Sequence, residues 1–314
     1  MNVYETCPTC ETGRFLLRQV QEGDCADLLR VYSDSAALPL FNGDNCHGDD
    51  FHYTTPERMG EAIRFWLWSY AAGYFVRWSV VDRATDCAVG TVELFRREDD
   101  GLLRLDLRSD YEGEAEAILC LLLDHAFDWF GVERILTKAP PVAQARRRAL
   151  ERLGFRPAEP LVGQDGAEYD HYYRGTHGDF LCRLALLHIY GDGVAEDNAL
   201  AASLLTRAAA LGHAEATYNL GICYHYGYGV AADLQRAFAL SLRAAEAGYG
   251  KGQELVGRFY NRGLHGTRDR AQALHWLRLA MESDDPEAVA EARKEIKSDC
   301  QKTHWPQVSE GRKV

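Results

Sequence analysis

The sequence predicts two domains of different class. An α+β domain, a mixed and mostly antiparallel sheet with helices, is expected over residues 1–176, and an all-α helical-repeat solenoid over 177–300, with 301–314 as a flexible tail. Three observations carry this. The 314 residues exceed one ordinary domain of about 100–200 residues. In the first half Leu103, Leu105 and Leu107 alternate with Arg104, Asp106 and Arg108, the period of a half-buried strand. In the second half the chain repeats its own pattern every 36 residues.

Taken in order, the first half reads as a strand over 14–20, a helix over 24–32, a long polar connection and a helix over 56–72. Strands over 74–81, 87–95 and 102–108 follow as a meander. Residues 112–130 form the next helix, and Ile118, Leu119, Leu122, Leu123, Ala126, Phe127 and Phe130 leave it few polar faces, so it is expected at the centre. A strand over 134–137, a helix over 143–153 and strands over 155–159 and 168–173 close the domain. Gly175-Thr176-His177-Gly178 reads as a short linker.

Beyond the linker, Tyr190-Gly191-Asp192-Gly193-Val194 recurs as Tyr226-Gly227-Tyr228-Gly229-Val230 and, altered, as Arg262-Gly263-Leu264-His265-Gly266. Asp197, Asp233 and Asp269 keep the spacing, as do Ala201, Ala237 and Ala273. Each unit reads as a helix, a glycine-rich turn and a second helix, because glycine enters left-handed backbone conformations without steric cost. These residues resemble the SEL-type (Sel-one-like) solenoid repeats, relatives of the tetratricopeptide class. The resemblance covers 179–285 and implies a scaffold that binds a protein partner, with 286–299 as a capping helix. Tyr224, His225, Tyr226 and Tyr228 gather near one turn, either as an interaction patch or as packing between repeats.

The net charge of −12 is uneven, −11 over residues 1–176 and −1 over 177–314. An acidic first half repels phosphate backbones, so no nucleic-acid partner is expected. No apolar run approaches the roughly 18 residues of a membrane helix, so no membrane partner is expected either. The start Met-Asn-Val-Tyr-Glu-Thr-Cys-Pro-Thr-Cys is unlike a secretory leader, and nine scattered cysteines suit reduced thiols, which together predict a cytoplasmic protein. Cys7 and Cys10 make one Cys-x-x-Cys with no second paired spacing, so no metal site is expected.

The element order of the first half, with Tyr111-Glu112-Gly113-Glu114-Ala115, His125-Ala126-Phe127, Gly131-Val132-Glu133-Arg134-Ile135 and Glu151-Arg152-Leu153-Gly154-Phe155, resembles the GNAT acyltransferases, in their ribosomal-protein-alanine-acetyltransferase branch. The resemblance covers about 11–174. It implies an N-acetyltransferase with acetyl-CoA as co-substrate and an amine acceptor, a small molecule or a protein. By family position the cofactor would meet Leu107, Arg108, Gly113, Glu114 and Ala115, with the Leu107 N–H polarising the thioester carbonyl and the N–H groups of Gly113 to Ala115 facing the diphosphate. Arg146, with its neighbours Arg147 and Arg148, either meets CoA phosphates or forms a solvated helix face. Four positions depart from the family pattern: Asp110 stands at its opening Gln or Arg, Ala143 at its asparagine, Arg146 at its serine and Leu150 at its tyrosine. Those departures leave a second reading open, a catalytically inactive GNAT-like adaptor whose repeats scaffold a complex.

Amine acylation needs a base for the ammonium proton. Glu93 and Asp106 fall on neighbouring strands beside the expected thioester, as that base or as strand carboxylates paired with Arg77, Arg104 or Arg108. Asp44, His47, Asp49 and Asp50 lie in the long connection after the first helix, where they either hold a cationic acceptor, with His47 as a proton shuttle, or form a solvated loop.

Overall fold

The computed structural model describes residues 2–44, 51–163 and 166–303. The chain divides into two compact units, Met1–Arg183 and Leu184–Val314.

The first unit opens with β1 (Cys10–Glu11) and β2 (Phe15–Gln19), then α1 (Cys25–Tyr32) and α2 (Pro56–Ala71). The start of α2 is set by Thr55, whose hydroxyl accepts the Arg58 N–H, and by Pro56, whose missing N–H costs nothing in a first turn. There follow β3 (Val76–Asp82), β4 (Cys87–Arg97), β5 (Asp100–Leu107), α3 (Ala115–Phe130), β6 (Arg134–Lys138), α4 (Gln144–Arg152), β7 (Arg156–Pro157), β8 (Leu161–Val162), β9 (Glu168–Tyr169) and β10 (Tyr172–Thr176). Strand order is β1-β2-β3-β4-β5-β6-β10-β7, with β8 and β9 as a separate hairpin. Neighbours are antiparallel except β5 and β6, which run parallel from Asp100↔Arg134 to Leu103↔Thr137 and then part.

One sheet face is apolar. Leu103, Leu105 and Leu107 are buried, as are Ile118, Leu122 and Ala126 of α3. The helix expected from residue 112 begins as an α-helix at Ala115, because Ser109–Glu114 winds as a tighter 3-10 turn. Gly131 ends α3 in the left-handed conformation at φ 58°. The glycine of Leu153-Gly154-Phe155 has φ 86°, and a Cβ there would stand 2.9 Å from the Asp179 carbonyl oxygen. Only glycine meets both demands.

Helix α5 (His177–Tyr190) carries the chain across the division between the units, and α6 (Asn198–Ala210), α7 (Ala214–Tyr226), α8 (Leu234–Glu246), α9 (Gly250–Arg262), α10 (Arg270–Met281) and α11 (Pro286–Thr303) complete the second. Each of α6 to α10 packs on its successor. The spaced aspartates are N-caps: Asp197, Asp233 and Asp269 accept backbone N–H groups at the starts of α6, α8 and α10. Ala201, Ala237 and Ala273 are buried. The tyrosine cluster divides, for Tyr224 packs with Ala237, Leu255 and Phe259, whereas Tyr226 and Tyr228 stack 5.6 Å apart on the surface. Among the described residues, no helix is long and apolar enough to cross a membrane.

Candidate functional site

The opposite face of the sheet carries a polar layer under α1 and α2. Register builds it: Arg77 lies beside Glu93, Ser79 beside Thr91, Glu93 beside Arg104, and Thr91 beside Asp106. With period two along each strand, these side chains share one face. Arg77 is buried, and its guanidinium lies 4.1 Å over the Trp66 ring from α2.

Both carboxylate oxygens of Glu93 are held. Arg77 Nε donates to Oε2 at 3.1 Å, and Arg104 Nη1 stands 3.2 Å from Oε1. Asp106 differs. Its Oδ2 accepts from the Tyr32 hydroxyl at 3.0 Å and lies 3.7 Å from Arg77 Nη1, while Oδ1 is buried without a hydrogen-bond partner. Burial pushes its carboxyl pKa up, opposed by the positive charges of Arg77, Arg146 and Arg104 and by the Tyr32 hydrogen bond. The Tyr32 hydroxyl also accepts from Arg77 Nη1 at 3.0 Å and is 2.7 Å from Thr91 Oγ1.

Leu107 is the last residue of β5. The Arg108 N–H donates to the Val89 carbonyl on the β4 side, so the alternation of an antiparallel ladder turns the Leu107 N–H the other way, toward the parted β6. In the following turn the Ser109 N–H donates to an Asp34 carboxylate oxygen at 2.9 Å, and those of Tyr111 and Ala115 donate to the carbonyls of Arg108 and Glu112. Arg108 is bidentate on Asp110 at 2.6 and 2.9 Å, which lowers the Asp110 pKa. Glu114 pairs with Arg14 at 2.7 Å. Around Gly113 there is open space, and its φ lies outside the left-handed region. Arg146 is neither solvated nor free: it is 1% exposed and bidentate on Glu112. Arg147 donates to the Tyr173 hydroxyl at 2.8 Å.

Asp44 bridges the point where β5 and β6 separate. Its carboxylate accepts from Lys138 Nζ of β6 at 2.6 and 2.7 Å, and its carbonyl accepts from Arg104 Nη2 of β5 at 2.7 Å. His47, Asp49 and Asp50 lie outside the described residues. Tyr32, Thr91 and Lys138 escaped the sequence reading, as did the pairing of Glu112 with Arg146. One signal was present: three strands each carry a polar pair two residues apart, Arg77/Ser79, Thr91/Glu93 and Arg104/Asp106. Among the described residues no three His, Cys, Asp or Glu side chains gather as metal ligands.

Comparison with known proteins assigns this architecture. Residues 14–156 match the acetyltransferase (GNAT) domain family, and 179–213, 214–249 and 250–285 each match the Sel1 repeat. The chain thus carries a GNAT domain followed by three Sel1 repeats. Similar solved structures include the ribosomal-protein-S5-alanine acetyltransferase of Vibrio fischeri, at 19% identity over 55% of this chain and 98% of that one, TM-score 0.44. RimJ of Mycobacterium smegmatis, in complex with CoA-disulfide, is 21% identical over 52% of this chain and 81% of that one, TM-score 0.43. A Sel1 repeat protein from Oxalobacter formigenes is 28% identical over 37% of this chain and 46% of that one, TM-score 0.35. No curated protein matches the chain.

Acetyl-CoA is the co-substrate of GNAT acetyltransferases. Its pantetheine arm carries amides that need backbone partners, and the edge of β5 beyond Leu103, which β6 has left, fits that need. At the far end of the edge stand the guanidinium groups of Arg108 and Arg146, both already matched to carboxylates.

Proposed function

We propose that the GNAT domain is an acetyl-CoA-dependent N-acyltransferase for an amine acceptor, with Asp106 as its base, and that the Sel1 repeats bind a protein partner or the acceptor itself. The observation that carries this is the buried Asp106 Oδ1, which has no hydrogen-bond partner, on a residue of β5 beyond Leu103, where β6 is no longer paired. When bound, acetyl-CoA supplies the activated acyl carbon and a thiol leaving group. Asp106 Oδ1 takes the proton from the acceptor's ammonium, so that the amine attacks as a neutral nucleophile. Its raised pKa brings it closer to that task than an ordinary carboxylate. Tyr32 holds Oδ2, which leaves Oδ1 in one orientation. The Leu107 N–H is the donor for the carbonyl oxygen. Glu93 is a poor base by comparison, since two guanidinium groups occupy its oxygens. We assign His47, Asp49 and Asp50 to the acceptor side, where an acidic unit favours cationic amines, with Asp44, whose carboxylate Lys138 holds, as the anchor of that connection. A cytoplasmic setting suits the thiols of Cys7, Cys10 and Cys120, which burial pushes up to about 12, 11 and 12 and so keeps protonated.

A second reading, a noncatalytic adaptor, is favoured by the matching of Arg108 to Asp110 and of Arg146 to Glu112. Thermal unfolding with acetyl-CoA separates the two. At 100 times its dissociation constant a ligand adds about 2.7 kcal/mol of stability. A rise in the GNAT-domain transition supports the acyltransferase, and no change at millimolar acetyl-CoA supports the adaptor.

A further inference from the structure

Arg146 sits on α4, yet its guanidinium ties together two other parts of the unit. Nε and Nη2 donate to the two oxygens of Glu112 at 2.9 and 2.8 Å, in the turn between β5 and α3. Nη1 donates to the Leu40 carbonyl at 2.9 Å, in the connection after α1. Four residues on, the same connection is pinned through Asp44 to Arg104 and Lys138, one on each of the two parting strands. Asn42 between them donates to the Tyr172 hydroxyl on β10 at 3.3 Å. Residues 38–44 therefore run across the open end of the β5–β6 parting, fastened on both sides.

The geometry points to an internal clasp: the Arg146–Glu112 pair and the 38–44 connection hold the diphosphate end of the cleft shut, and a bound diphosphate opens it by replacing Glu112 on the Arg146 guanidinium. This rests on the acyltransferase reading. Three facts favour exchange over permanent closure. A guanidinium fork matches phosphate oxygens as well as it matches a carboxylate, so the swap preserves both its charge and its bidentate geometry. A buried guanidinium left unmatched is costly, so Arg146 leaves Glu112 only when another anion arrives. The remaining side chains of the turn add negative charge through Asp110 and Glu114, and of the two guanidinium groups matched to the turn's carboxylates, Arg108 and Arg146, Arg146 is the one that also holds the 38–44 connection, through the Leu40 carbonyl. Once Arg146 turns to a diphosphate, its bond to the Leu40 carbonyl is strained or lost, and the connection that covers the cleft is loosened by the ligand itself.

The test uses the full chain and coenzyme A as the probe. Calorimetric titration is run on the wild type and on Glu112→Gln, which weakens the carboxylate's hold while preserving its shape. Amide hydrogen exchange over 38–44 is followed in the wild type with and without coenzyme A, a readout that stands even where the variant fails to fold. The clasp predicts that Glu112→Gln binds at least about tenfold tighter and that coenzyme A accelerates exchange over 38–44. Equal affinity in both proteins, or exchange over 38–44 that coenzyme A slows or leaves unchanged, overturns the clasp and leaves the acyltransferase reading standing. No binding by either protein overturns both.

Discussion

Replacing Arg77 with methionine tests the polar layer on which the site rests. The guanidinium is buried, donates to Glu93, to the Tyr32 hydroxyl at 3.0 Å and to Thr91 Oγ1 at 3.3 Å, and lies over Trp66. Methionine keeps much of the stem's packing but leaves Glu93 with Arg104 alone and takes from Asp106 a cation 3.7 Å away. Breaking a buried pair on one side costs about 3–5 kcal/mol. In a unit the size of Met1–Arg183, each kcal/mol shifts the midpoint by about 2–4 °C, so the first thermal transition should fall by about 6–20 °C. The assay is thermal unfolding of the full chain followed by tryptophan fluorescence, to which Trp66 and Trp78 contribute from inside this unit. Adding Glu93→Gln to Arg77→Met removes the stranded charge and should restore more than half of the loss. A single variant within about 1 kcal/mol of wild type, or a double variant no more stable than the single, would refute the view that opposite charges hold this layer together.

Asp106 gives a pH signature. Because its folded pKa is raised, it favours the folded state below its ordinary value of 3.8, and that contribution is lost as pH rises through the folded pKa. Asp106→Asn should therefore gain stability relative to wild type as pH rises from about 4, by up to about 1.4 kcal/mol per pH unit, before levelling off, as measured by urea unfolding across pH. A difference that stays flat with pH would contradict the shift. Gly154→Ala should lower stability by about 1–3 kcal/mol, since it combines a left-handed backbone with a close approach to the Asp179 carbonyl, and an unchanged midpoint would contradict that geometry. We also expect the two units to fold separately. A fragment ending at Arg183 should unfold cooperatively and at higher temperature than one ending at Thr176, which lacks Asp179 and its bonds to Thr176.

The fold was readable where the signal is local. Alternation in β5, the apolar run of α3 and the repeated aspartate caps each lie within a few residues of what they determine. Boundaries drifted where local geometry changed type, as at Ser109–Glu114, whose 3-10 winding has no distinct hydrophobic period. The expected strand over 168–173 is two, with Glu168–Tyr169 pairing in its own hairpin and Tyr172 starting the next. Glu93 and Asp106 could be named from strand position, but what distinguishes them could not. Tyr32 and Asp106 are 74 residues apart, Arg146 and Glu112 are 34, and Asp44 and Lys138 are 94. Pairings at such separations leave no periodic trace in one sequence, so Arg146 read there as a contact to CoA phosphates or as part of a solvated helix face, not as the partner of Glu112.

The role of Asp106 as the base of an N-acyltransferase is tested by mass-spectrometric measurement of acetyl transfer from acetyl-CoA to a panel of polyamines, lysine-bearing peptides and peptides with free N-termini, by the wild type and by Asp106→Asn. A base at Asp106 requires an acetylated amine with the wild type and turnover about 10²–10⁴-fold lower with Asp106→Asn in a folded protein. Equal turnover by the two proteins, or no acetylated amine from any member of the panel, would contradict it.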